Sequence, residues 1–194
     1  MIRASYGAIV EGEYDVGVFE VLIPKICPYP SEVWAQEARG RARLMSRFAQ
    51  MLRMFEHRTA SAGPVDRALV IRDSNGKNPA RVENEMQLRI AHQGYAFPHG
   101  VQVHALQQET ETWLLADAAA ISRVAGQPAH PPPGPLEQRH QAKEAFTDVL
   151  YEVGLQYTPT ICRRIAIEID LDTLRAACPS FAIFEQKVRL PHLA

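Results

Sequence analysis

The sequence contains few cysteines, and they show no pairing pattern. Cys27, Cys162 and Cys178 are odd in number and far apart, which suits neither a disulfide framework nor the paired spacing of a structural zinc site. We expect them to be reduced packing residues. None of the seven histidines stands in an HExxH or comparable metal-pair spacing, so a zinc hydrolase is not expected.

The chain also lacks a long apolar run and an excess of either charge. No stretch approaches the length needed to span a bilayer, and the first residues run into acids without a signal-peptide cleavage site. We therefore expect a cytoplasmic protein that does not contact a membrane. With 21 basic and 22 acidic side chains, the net charge of -1 gives no global attraction to nucleic acid. A polyanionic partner would have to be held by a local patch or through metal ions.

Three common catalytic motifs are missing as well. The sequence has no G-x-x-x-x-G-K-[ST] phosphate loop, no G-x-G-x-x-G after its first strand and no G-x-S-x-G elbow. These absences argue against a P-loop ATPase, a dinucleotide-binding enzyme and a serine hydrolase of the α/β type.

The apolar segments that are present alternate between strand and helix periodicity. Strands are predicted over 5–10, 32–38, 67–72 and 100–106, and a helical pattern follows each of them, the last over 109–125. Such alternation is typical of an α/β fold with a mostly parallel sheet flanked by helices. We predict an α/β domain over 1–126 and a proline-rich loop over 127–135. A helical extension over 136–194, with helices at 136–154, 159–168 and 171–188, is predicted to pack on the same domain.

Acids follow three of the predicted strands. Glu11 ends the first strand in GAIVEGEYDV, Asp73 and Asn75 follow RALVIR, and Glu109 and Glu111 follow VQVHAL. The carboxyl ends of parallel strands meet at one edge of a sheet, so these side chains should converge there. Close carboxylates repel one another unless a cation is present, and Mg²⁺ prefers a few carboxylates with water and phosphate oxygens. The pattern predicts a Mg²⁺ or Mn²⁺ site.

The segments around these acids resemble the Toprim fold of topoisomerases, primases and OLD-type nucleases. More closely, the chain resembles an uncharacterised bacterial Toprim-like family, a domain of unknown function, along nearly its whole length. The matching segments are EGEYD (11–15), LVIRDSNG (69–76), ETWLLAD (111–117) and IDLDTLRAACPSF (169–181).

This resemblance implies roles for four residues. Glu11 corresponds to the Toprim glutamate, a general acid or base, and Asp73 to the first acid of a D-x-D metal motif. Asn75 falls on the second acid position, where an amide can ligate a cation without adding charge. Glu111 matches an acidic position of the narrower family and would supply the missing ligand. The implied function is a Mg²⁺-dependent phosphoryl-transfer enzyme, a nuclease that works in phage defence with a separate ATPase.

Simpler interpretations stay open for several of these residues. Asp15 can be explained as a helix cap and Glu13 as a solvated acid, and Asp-Ser-Asn-Gly also suits a tight turn. The basic run that contains Arg39, Arg41 and Arg43 either contacts nucleic acid or forms a solvated helix entrance. At the level of function, the alternatives are a non-catalytic module that binds an ATPase or nucleic acid, and hydrolysis of a small phosphorylated metabolite.

Overall fold

A computed structural model describes residues 3–57 and 64–189, and it shows a single four-stranded sheet. All four strands are parallel, in the order β2-β1-β3-β4. The strands are β1 (Ala4–Val10), β2 (Ser31–Glu37), β3 (Arg67–Asp73) and β4 (Val101–Leu106). Helices α1 (Glu13–Ile26), α2 (Arg41–Phe55) and α3 (Pro79–Ile90) connect them in turn. The predicted α/β fold is confirmed, and the described sheet is wholly rather than mostly parallel.

The strand order explains why the helices lie on both faces. The connection from β1 to β2 runs in the opposite direction along the sheet to those from β2 to β3 and from β3 to β4. Right-handed crossovers therefore place α1 on one face and α2 with α3 on the other. Side chains in β1 follow this division: Ala8 and Val10 belong to the core around α1, and Ile9 to the core around α2.

After β4 the described chain forms helices on both sides of the proline-rich segment 127–135, as predicted, but in shorter pieces. The elements are α4 (Thr110–Leu115), α5 (Ala118–Ala125), a 3₁₀ turn (Leu136–Gln138), α6 (Ala142–Glu152), α7 (Pro159–Glu168), α8 (Leu171–Ala177) and α9 (Phe181–Val188).

Two segments that were each predicted as one continuous helix form two helices instead. The one over 109–125 breaks at Asp117, whose carboxylate accepts hydrogen bonds from the backbone of Ala120 and Asp170, both at 2.9 Å. The one over 171–188 breaks at Cys178-Pro179, because proline offers no N–H to continue a helix. The helix predicted over 136–154 is replaced by the 3₁₀ turn and the shorter helix α6.

The C-terminal helices share their core with α1 and the sheet. Trp113, which is almost fully buried, lies against the rings of Phe19, Phe181 and Phe184 at centroid distances of 6.0, 4.9 and 5.2 Å. A β-carbon on Gly17 in α1 would lie only 2.9 Å from that of Arg163 in α7. The last third of the chain is therefore packed onto the α1 face.

Among the helices of the described ranges, none is both long and apolar enough to cross a membrane.

Candidate metal site at the carboxyl edge of the sheet

A cleft of about 280 Å³ opens where β1, β3 and β4 end. The direction of strand connections reverses between β1 and β3, and open α/β sheets bind ligands at such a reversal. Five acids and one amide line the cleft: Glu11, Asp15, Asp73, Asn75, Glu109 and Glu111. The structure thus brings together all four residues that sequence analysis nominated as metal ligands.

Glu11 lies directly after β1, and the Gly12 that follows it caps α1. Burial raises the pKa of the Glu11 carboxyl, although the charges of Arg72 and Arg41 and the backbone of Asp73 act to lower it. Its Oε2 atom is buried and has no hydrogen-bond partner among the described residues. Glu11 therefore presents an unsatisfied oxygen within a crowded group of acids.

Asp73 is the last residue of β3, the strand that pairs directly with β1. Burial raises the pKa of its carboxyl well above the usual range, and the nearby charges of Asp15, Glu11 and Glu111 raise it further. The position of Asp73 thus makes its ionised form costly unless positive charge is supplied.

Asp15 does more than cap a helix. Its Oδ2 accepts a hydrogen bond of 2.9 Å from the Gly12 backbone, which is the capping role considered from the sequence. The same carboxyl lines the cleft, and its burial, aided by the charges of Glu111 and Glu11, raises its pKa to about 6. The sequence alone did not indicate this second role, because an acid in the first turn of a helix is already explained by capping.

Asn75 belongs to a turn that is hydrogen-bonded to the loop after β4. The backbone amides of Ser74 and Asn75 both donate to the carbonyl of Gln108, at 3.1 and 3.3 Å. Asn75 has a φ of 49° and Gly76 a φ of 75°, so the chain passes through the left-handed region here. The Asp-Ser-Asn-Gly segment is therefore both a tight turn and part of the cleft wall.

Glu111 is held in place from the C-terminal third of the chain. The Tyr157 hydroxyl donates a hydrogen bond to Glu111 Oε1, and the Tyr157 ring stacks on Tyr14 with 4.3 Å between centroids. Burial and the Glu111 charge raise the pKa of Tyr157, so it remains a donor at neutral pH.

Glu109, one of the acids that the sequence predicts at this edge, also lines the cleft. Its Oε2 accepts a hydrogen bond of 3.0 Å from the backbone of Lys143, the second residue of α6. Burial raises the Glu109 pKa. The Lys143 ammonium lies 5.3 Å from the Tyr157 ring centroid, and it is the only lysine or arginine that the described lining includes. Tyr14, Tyr157 and Lys143 were not predicted from the sequence, since no local pattern indicates which helices cover the cleft.

The three arginines predicted to bind nucleic acid are divided by the structure. Arg41 lies close enough to Glu11 for its charge to lower the Glu11 pKa. Arg39 and Arg43 instead line a second groove, of about 520 Å³, between the end of β2 and α2. Arg39 also pairs with Glu37 at 3.5 Å, as the solvated-entrance interpretation supposed.

The donor atoms of the cleft suit a hard cation that keeps part of its water. Neither histidine nor cysteine occurs in the described lining, and oxygen donors are the ligands of Mg²⁺ and Mn²⁺. No group of three or more His, Cys, Asp or Glu residues within 3–57 and 64–189 is arranged to hold a metal ion by itself. Mg²⁺ usually takes only one or two protein carboxylates and several waters. The raised carboxyl pKa values and the unpartnered Glu11 oxygen fit such a site.

Comparison with known families gives one match. The model of a family described as "Domain of unknown function (DUF4276)" matches residues 10–189. No curated protein and no solved structure matches the chain. The expected similarity to a domain of unknown function is confirmed, while the relation to Toprim proteins and to bacteria stays a prediction.

Proposed function

We propose that this chain, which belongs to the DUF4276 family, is a Mg²⁺- or Mn²⁺-dependent phosphoryl-transfer enzyme of Toprim-like type. Within that class we favour a nuclease that hydrolyses phosphodiester bonds. The observation that supports this proposal is the convergence of five carboxyl groups in one cleft at the ends of three neighbouring parallel strands.

The electrostatics of the cleft call for a cation. Glu11, Asp15, Asp73 and Glu109 all have raised pKa values, chiefly through burial, so their ionised forms are costly in the metal-free protein. The residues that would hold the ion are Glu11, Asp73, Asn75 and Glu111. A bound divalent cation polarises a phosphodiester and stabilises its leaving oxygen.

The protein's own groups would handle the proton and the positioning. Glu11 has a raised pKa and an unpartnered Oε2, so it can carry a proton at that atom and act as general acid or base, as the Toprim resemblance implies. Asp73, at the end of the strand that pairs with β1, would be the second catalytic residue. Tyr157 orients Glu111 through its hydroxyl.

Among the three arginines predicted to bind nucleic acid, Arg41 would do so beside the cleft. Arg41 is placed near Glu11, where it can contact a phosphate beside the scissile one. Arg39 and Arg43 would contact the strand only if it continued from the cleft into the neighbouring groove. A separate ATPase partner and a role in phage defence rest on the resemblance alone.

A specific observation also favours a second function, a non-catalytic binding module. Asn75 brings no charge to the second position of the metal motif, and the described acids do not form a complete three-ligand group. In this alternative the fold persists, and the chain acts by binding an ATPase or nucleic acid.

A Mn²⁺ titration by calorimetry, followed by cleavage assays, separates the two functions. The enzyme requires a binding event that disappears in Asp73→Asn and persists in the control Asp148→Asn, which removes an exposed acid of α6. It also requires metal-dependent cleavage of DNA or RNA that Asp73→Asn abolishes. Absence of both binding and cleavage would leave the binding module. Hydrolysis of a small phosphate ester without nucleic-acid cleavage would keep the chemistry and reject the nuclease.

A further inference from the structure

The two edge strands of the sheet differ in whether side chains bond to their outward backbone groups. At the β4 edge, the Ala105 amide donates to Glu83 Oε1 at 3.0 Å, and the Val103 carbonyl accepts from Lys187 Nζ at 2.9 Å. Glu83 and Lys187 pair with each other at 2.6 Å. Side chains from α3 and α9 thus occupy the backbone groups to which another strand would bind, which is a common protection of sheet edges.

The β2 edge has no comparable cover in the described part of the chain. Pro30 O and Ala38 N, at the two ends of β2, bond to β1, so even-numbered residues direct their backbone inwards. In a parallel strand the backbone groups alternate, and those of Val33, Ala35 and Glu37 therefore point outwards. No hydrogen bond from the described residues reaches these three. A seven-residue strand is left with a free row of donors and acceptors.

A basic groove runs beside this free edge. It is about 520 Å³ in volume and is lined by the end of β2 and by one side of α2. The α2 residues of the lining are Arg43, Arg47, Gln50, Met51 and Met54. Arg43 and Arg47 are exposed and form no ion pair with any residue in the described ranges. Their charge is thus available to a partner.

We propose that the outer edge of β2 is a docking site for an extended acidic segment of a partner protein, which adds a fifth strand to the sheet. Backbone pairing with Val33, Ala35 and Glu37 would supply the affinity, as in other β-augmentation complexes. Every second side chain of the added strand would face α2, so acids at alternate positions would meet Arg43 and Arg47. This site is separate from the metal cleft and does not depend on the proposed function.

The groove suits a peptide better than a nucleic-acid strand. Free backbone N–H and C=O groups in a row complement another extended peptide, whereas phosphates accept hydrogen bonds but cannot donate them. Glu37 lies in the lining, but it pairs with Arg39 at 3.5 Å, so its charge is already countered there. Met54, which is 51% exposed, adds an apolar contact of the kind that adapts to protein partners.

The probe for this site is a fluorescent peptide of about ten residues in which Glu alternates with Val or Thr. Binding is measured by anisotropy at low salt without divalent cation. Ala35→Pro removes one outward N–H, a change that edge strands tolerate. The double variant Arg43→Ala/Arg47→Ala removes the charge. Each should weaken binding by about tenfold. The control Arg81→Ala/Arg164→Ala removes two exposed arginines elsewhere and should leave affinity unchanged.

Hydrogen exchange gives a second measurement that needs no variant. The Ala35 amide should exchange fast in the free protein and slowly with peptide, while the Trp34 amide, which faces β1, should be slow in both. No peptide binding, or equal binding by all variants, overturns the proposal. The proposal is also overturned if a single-stranded oligonucleotide displaces the peptide and its affinity falls in the arginine variant but not in Ala35→Pro. Self-association of the chain that Ala35→Pro abolishes would identify a second copy as the occupant and reject the acidic partner.

Discussion

Glu11 and Asp73 end two directly paired parallel strands, and the Asp73 backbone helps to stabilise the Glu11 carboxylate while the Asp73 side chain repels it. The two acids are thus coupled through both a favourable and an unfavourable contact. A bound cation would remove the unfavourable one and leave the other intact.

Glu11→Gln should increase the stability of the metal-free protein and reduce its activity. Removal of one charge from the acidic cleft should raise the thermal midpoint of the metal-free protein, and more so at neutral than at acidic pH. Loss of the proton-carrying group should reduce cleavage by about a hundredfold or more. Differential scanning fluorimetry and a nuclease assay measure the two effects. A lower midpoint together with unchanged cleavage would contradict both the electrostatics and the role of Glu11.

Asp15 should make the metal-free protein less stable as the pH rises. Its folded pKa of about 6 exceeds the ordinary aspartate value of 3.8, so the folded state binds the proton more tightly than the unfolded state. The contribution to stability is therefore full below the unfolded pKa and is lost as the pH rises through the folded pKa. The loss should be roughly 3 kcal/mol.

Urea denaturation across this pH range, with and without Mg²⁺, measures the effect of Asp15. Asp15→Asn keeps an oxygen for the Gly12 amide and should flatten the pH profile. Saturating Mg²⁺ should do the same in the unaltered protein. A profile that is identical in the variant would show that other groups control the pH dependence.

Tyr157→Phe tests the support of Glu111. The substitution keeps the ring that stacks on Tyr14 and removes the hydroxyl that donates to Glu111. Loss of such a supporting hydrogen bond typically lowers metal affinity by about tenfold or more. Tyr151→Phe, at a residue that is 84% exposed, is the matched control. Equal Mn²⁺ affinities in the two variants would argue against a ligand role for Glu111.

Gly7→Ala should destabilise the sheet by overpacking. A β-carbon at this position would lie 2.5 Å from the Phe55 ring, a contact that neither strand nor helix can relieve without moving. We expect a loss of roughly 1–3 kcal/mol in the free energy of unfolding, measured in urea. Phe55→Leu in the same chain should recover part of it. If the changes in the free energy of unfolding were fully additive in the double variant, the two positions would not be in steric conflict.

Lys187→Met should uncover the β4 edge. Burial opposes ionisation of Glu83, yet hydrogen bonds from His104, Lys187 and Ala105 hold the Glu83 pKa at about 2. Loss of the lysine should cost roughly 2 kcal/mol, since hydrogen bonds to charged groups contribute about that much. Faster aggregation on heating is also expected, because the Val103 carbonyl becomes free. Lys77→Met, at an exposed lysine, serves as the control in light scattering.

Local sequence was sufficient for the sheet and for the convergence of its acids. RALVIR and GAIV are apolar runs that are each followed directly by a carboxylate, and parallel pairing alone brings Glu11 and Asp73 to one edge. Even the weakly patterned β2 forms, because its partner β1 supplies a full ladder over Ser31–Glu37. Boundaries inside the helical third were less predictable, since a cap such as Asp117 and a break at Pro179 interrupt an apolar periodicity that continues across them.

Some residues of the site could not be predicted from local sequence, because long-range packing brings them to the cleft. Tyr157 and Lys143 reach the cleft because α6 and α7 dock on the α1 face, and no local pattern encodes that docking. The division of the arginines depends on backbone geometry: Arg39 and Gly40 have φ values of 61° and 101°, which turn the chain between the groove and the cleft.

Because Lys143 and Tyr157 are supplied by the last third of the chain, the acidic residues emerge from the ribosome well before the walls that enclose them. A nascent chain that extends through α4 holds every candidate ligand but lacks Tyr157, which orients Glu111. In the proposed nuclease, the site would therefore be completed only after translation has passed α6 and Tyr157.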